Sequence, residues 1–257
     1  MKKFLETTQD RIEQLFASKI LVCFPYYGEF WEKFIGLRPG NRLLPYRLQV
    51  PSEVKKKDKK QLLRGHEEIS MRHYTLFCQL AGAHFQLEKA TDSLAERSEA
   101  MRHFLFWEAF DNFYQHLGNA RNQMYGIWDV VHSLSKCLPD KLKLKDYLEC
   151  SGQKVLREKL NRWEGEAKTL RDDIVHFARG GAPYGDGTYW IPVPLRRKRR
   201  NMRWSETLSN SVPVQEATKK MEKDLRELES ILDAVQRLIG DELQKTFQAM
   251  GVVICYE

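Results

Sequence analysis

A chain of 257 residues, 42% hydrophobic and 30% charged, can bury a sizeable core, and its composition excludes wholesale disorder. The net charge of +7 and pI near 9.1 permit a polyanionic partner without demanding one. The best apolar run, residues 19–27, is about half the length of a membrane span and follows a charged, helix-like segment, so neither a membrane helix nor a signal peptide is expected.

Residues 1–22 read as an amphipathic helix with Phe4, Leu5, Ile12, Leu15, Phe16 and Ile20 as its apolar members. Residues 23–51 break every period. Pro25, Pro39, Pro45 and Pro51 interrupt an arm rich in aromatics (Phe24, Tyr26, Tyr27, Phe30, Trp31, Phe34), which must pack over a core or a partner because so many exposed rings are a liability. Residues 1–60 are therefore expected as a helix and an irregular arm laid on the core. The run Lys55, Lys56, Lys57, Lys59, Lys60 reads as a solvated helix start, the alternative being a nucleic-acid patch.

A helix follows from about residue 61 to 89, with an imperfect stripe of Leu62, Ile69, Tyr74, Phe77, Ala81, Phe85 and Leu87. The next, from near Ser98 to about residue 136, carries the clearest pattern in the chain. Phe106, Phe110, Phe113, Leu117, Ala120, Met124, Ile127, Val131 and Leu134 recur in unbroken steps of four and three. Pro139 ends it, and a short helical turn covers residues 142–148. A further helix begins near Gln153, its face formed by Leu156, Leu160, Trp163, Ala167, Leu170, Ile174 and Phe177, until Gly180 and Gly181 stop it. Residues 188–194 read as a strand confined to an edge by Pro192 and Pro194, residues 196–201 as a basic turn, and residues 202–205 as a return strand. The last helix opens at Pro213 and Val214 and runs to about Ile239 on Ala217, Met221, Leu225, Leu228, Leu232, Val235 and Ile239. Gly240 is a candidate break, with residues 241–250 continuing beyond it and residues 252–256 a candidate strand. The sum is an all-α protein: a bundle of about four long helices over residues 61–257, with a small β-hairpin-like insertion at 180–213.

One short set of polar residues lies beside a buried face. In Leu170-Arg171-Asp172-Asp173-Ile174-Val175-His176 an arginine with a polar follower stands five residues before a histidine, near a helix end. This resembles the HEPN superfamily, small α-helical bundles marked by Arg-x(4–6)-His near the end of the penultimate helix. The resemblance covers roughly residues 61–240. Arg97 and His103 share the spacing, but at the start of a helix and without the polar follower. The resemblance implies a metal-independent endoribonuclease acting in a dimeric cleft. His176 would be the general acid/base, Arg171 the phosphate clamp, and Asp172 an orienting group. Two alternatives stay open: a non-catalytic HEPN-like module binding RNA or a protein, and a purely structural role in which Arg171 and His176 complement the end of a helix dipole. Glu108 and Asp111 are candidates to reach Arg171.

Arg196, Arg197, Lys198, Arg199, Arg200 and Arg203, with Trp204 and Trp190 near them, suit phosphate contact and base stacking, the bland reading being a solvated turn. No metal and no cofactor is expected: His66 and His73 lack a third ligand, and 180–187 lacks the lysine of a phosphate loop. Five cysteines without close spacing fit a reducing compartment, hence the cytoplasm. RNA, a second copy of the chain and a protein docking on the aromatic arm are the expected partners.

Overall fold

The computed structural model describes residues 37–38, 42–43, 46–135, 138, 142–168, 190–192 and 211–256. Helices dominate: α1 (Lys56–Ser93), α2 (Glu99–Leu134), α3 (Leu144–Cys150), α4 (Lys154–Trp163) and α5 (Val214–Ala249). Three antiparallel strand pairs accompany them. β1 (Leu37–Arg38) pairs with β2 (Arg42–Leu43), β3 (Tyr46–Gln49) with β6 (Val253–Tyr256), and β4 (Trp190–Pro192) with β5 (Ser211–Pro213). The all-α expectation holds in its coarse form.

All nine stripe positions of α2 are buried, as are all seven named on α5. α5 runs unbroken through Gly240, and Leu243 and Phe247 extend its buried face. The α1 stripe differs from the expected one. Leu62, Ile69, Phe77 and Ala81 are buried as expected, but Gly65, His73, Leu76, Leu80, Ala83 and Ala90 are buried with them, and Phe85 and Leu87 are only half-buried. A glycine and a histidine occupy two steps of the four-three series, which is why hydrophobicity alone did not reveal it. α1 begins at Lys56, within the lysine run read as a solvated helix start. Lys56, Lys57, Lys59 and Lys60 form its exposed first turns.

The chain divides into two compact units. The first contains α1 up to Ala81, α2 from Ala120, α3, the first residues of α4, α5 from Glu229, and the β3–β6 pair. Trp128 anchors it. Its ring lies 4.4 Å from that of Tyr147 and its Nε1 donates to Leu142 O at 3.0 Å, while Tyr147 Oη donates to Glu242 at 3.1 Å. α5 ends when Gly251 turns to φ +64° and Val252 N donates to Phe247 O at 2.9 Å, a left-handed stop that releases the chain into β6. The arm expected to be irregular thus contributes β3, paired with the far end of the chain.

The second unit contains the end of α1, α2 up to Asn119, the rest of α4 and α5 up to Leu228, with β4 and β5. Ser98 caps α2, its Oγ accepting from Met101 N at 3.4 Å. Gly82 lets His116 lie on the α1 backbone, since a Cβ there would meet the imidazole at 2.5 Å. The partner of β4 is Ser211–Pro213. The return strand expected at residues 202–205 lies outside the described residues.

Candidate functional site

α4 is the element that leads toward Arg171 and His176. Leu156, Leu160 and Trp163 are buried as its periodicity requires, and so is Ala167. From Glu164 to Lys168 the helix widens into a π turn, a local distortion that recurs at functional sites. Arg171, Asp172 and His176 come next in sequence and lie outside the described residues, as do Arg196, Arg197, Lys198, Arg199, Arg200, Arg203 and Trp204.

What holds this helix end is a buried polar cluster in the second unit. Trp163 Nε1 donates to Asp224 O at 2.8 Å. The Asp224 carboxylate, 1% exposed, accepts from Tyr114 Oη at 2.8 Å and from Lys220 Nζ at 2.9 Å. Burial pushes the Asp224 carboxyl up, and Glu166 adds to that, whereas Lys220 and the Tyr114 hydroxyl pull it down. Tyr114 is raised well above the usual phenol value, by burial first and by Asp224 second, so it stays a proton donor. Every polar group here has a partner. The cluster's chemistry is positional: it pins the end of α4 at Trp163, one residue before the π turn begins at Glu164, to α2 and α5. The apolar stripes concealed it, because Asp224 and Tyr114 each sit one position from a stripe residue.

The two carboxylates expected to face Arg171 are distinguished. Glu108 is engaged by Lys89 and accepts from Asn112 Nδ2 at 2.9 Å. Asp111 has a buried Oδ1 without a hydrogen-bond partner, and burial raises its carboxyl to about 6. Gln86 Oε1 is likewise buried and unsatisfied. The competing pair is unlike a site: Arg97 is exposed ahead of α2, and His103 packs edge-on to Trp107 at 6.2 Å. Burial lowers the His103 pKa, against an opposing pull from Glu99.

His73, His132 and His116 have structural surroundings. His73 is fully buried beside Phe77, 3.4 Å from the Gln236 amide nitrogen, and burial holds its pKa well below the usual value. His132 Nε2 accepts from Leu142 N at 3.3 Å, and burial lowers the pKa of His116. Among the described residues no group of three or more His, Cys, Asp or Glu is placed to hold a metal ion, and no helix is long and apolar enough to cross a membrane.

In the first unit, Lys57, Lys60 and Arg64 line a groove of about 390 Å³ with Gln61, Ser133 and Leu134. A larger groove of about 710 Å³ lies among Pro51, Lys55, Leu134, Glu242, Lys245 and Met250. Comparison with family models, with curated proteins and with solved structures gave no match to this chain.

Proposed function

We propose that the protein is a metal-independent endoribonuclease of HEPN type, a helical bundle whose cleft forms where two copies meet. The observation that carries the reading is local. α4, its apolar face buried and its end pinned at Trp163, runs in sequence straight into Leu170-Arg171-Asp172-Asp173-Ile174-Val175-His176 within a mostly helical protein. In the proposed reaction the ribose 2′-hydroxyl attacks the adjacent phosphorus. His176 removes the hydroxyl proton as the new P–O bond forms. Arg171 holds the non-bridging oxygens in bidentate fashion while their charge grows. The P–O5′ bond then breaks and the departing 5′ oxygen takes up a proton, leaving a 2′,3′-cyclic phosphate and a 5′-hydroxyl. Asp172 orients the pair, and Arg196–Arg200 with Arg203 and Trp204 hold the flanking strand in the hairpin-like insertion.

On an ideal helix, five residues separate Arg171 and His176 by about 140° around the axis. One chain's arginine and its partner's histidine therefore complete each site. The test is cleavage of single-stranded RNA in EDTA, with DNA uncut and His176→Ala inactive yet folded. RNA left whole by the wild-type protein overturns the nuclease reading, and RNA bound but uncut replaces it with a non-catalytic binding module.

A further inference from the structure

The first three turns of α1 concentrate cations that the rest of the described structure leaves unused. Lys57, Lys60 and Arg64 are spaced three and four apart, so they share one face, and all three are exposed. They line the same groove of about 390 Å³. Among the described residues none of the three forms an ion pair. Glu68, the acid in that lining, is already held by Arg72 at 2.8 Å. Lys55, Lys56 and Lys59 are exposed around them.

A structural role would be to support the C-terminal end of α2, whose Ser133 and Leu134 form the opposite wall. Gln61 already serves that end, its Nε2 donating to Ser133 O at 3.1 Å. The cations themselves gain nothing from the helix they start, because positive charge at an N-terminus opposes the dipole. An unpaired basic row of this kind is matched by a row of phosphates. Lys57 to Arg64 spans about 10 Å of helix rise. A stacked strand carries one phosphate per ~3.4 Å of its axis, so the row meets about three in succession.

We infer that Lys57, Lys60 and Arg64 form a binding site for the phosphate backbone of a single-stranded nucleic acid, separate from the Arg171–His176 motif. The lining holds no aromatic ring to stack a base and no feature to read one, so the contact is independent of sequence and of the 2′-hydroxyl. RNA and DNA single strands both occupy it, and only RNA goes on to be cut if the nuclease reading holds.

The test compares His176→Ala protein with the same protein carrying Lys57→Gln, Lys60→Gln and Arg64→Gln. Binding of a labelled oligouridylate and of its deoxy counterpart is followed by anisotropy across a salt series. Neutralising the row weakens both probes at least about tenfold at low salt and lowers the slope of log affinity against log salt by about 2. Lys57→Arg with Lys60→Arg keeps both values, which separates charge from packing. Unchanged affinity and slope in the folded triple variant overturn the inference, and so does a fall in thermal midpoint with affinity retained. Binding to anionic phospholipid vesicles without binding either oligonucleotide also overturns it. RNA bound through this row but uncut by wild-type protein removes the nuclease alone. RNA cut by a protein whose triple variant binds as before removes this site alone.

Discussion

His73 and Asp111 are both buried titratable groups, and they push stability in opposite directions with pH. The folded pKa of His73 lies well below its unfolded value of about 6.5, so the unfolded chain binds the extra proton as pH falls. The stability its neutral form permits is present above about pH 6.5 and declines below it, at up to ~1.4 kcal/mol per pH unit. Gln236 sharpens this, since its amide nitrogen can only donate, and a protonated imidazole would set donor against donor. Urea midpoints taken between pH 8 and 5 therefore fall, and His73→Leu flattens that dependence by about one proton, whatever it does to absolute stability. Asp111 has the reverse sign. Its folded carboxyl titrates at about 6, above the unfolded value of about 3.9, so its contribution is full at low pH and lost as pH rises through 6. Asp111→Asn keeps the shape and removes the charge. It is expected to stabilise by on the order of 1 kcal/mol at pH 8 and by little at pH 4, read from the same melts, after discounting for partial solvent access.

Among the elements, α2 and α5 were legible from sequence because their buried positions are filled by apolar residues in regular steps. α1 was legible only in part, because Gly65 and His73 occupy core steps that hydrophobicity does not mark. Of the strands, β4 and β6 fall within the segments read as strands at 188–194 and 252–256, whereas β3 was not foreseen. β3 depends on Val253–Tyr256 at the other end of the chain, a pairing that no local pattern announces. That junction gives a prediction. Gly251 holds φ +64°, and a Cβ there would also meet Pro51 Cγ at 3.2 Å. Gly251→Ala should cost about 1–2 kcal/mol in thermal unfolding and increase amide exchange in β3 and β6 before α2 is affected. Gly82→Ala gains helix propensity of about 1 kcal/mol but displaces His116, at a cost of about 1–3 kcal/mol for overpacking, so a net loss is expected in the same melts.

At the scale of the whole molecule the proposed site is shared, and this is testable without a structure of the assembly. Arg171→Ala and His176→Ala proteins, each inactive alone, recover about a quarter of wild-type cleavage when mixed and re-associated, because each mixed dimer retains one intact Arg–His pair. Activity that stays absent in the mixture, under conditions where subunits exchange, places both groups in one chain. The amino-acid order alone determined the helical class and the buried faces of α2, α4 and α5, since a four-three repeat has only one way to hide its apolar side. It also marked Arg171, Asp172 and His176 as candidates. Tertiary structure alone decided which polar groups meet. Asp224, Tyr114 and Trp163 converge from three separate helices, Glu108 takes Lys89 while Asp111 keeps a bare oxygen, and Lys57, Lys60 and Arg64 face one groove. Periodicity states which side of a helix is buried, but not what stands opposite it, because partners distant in sequence are brought together only by packing.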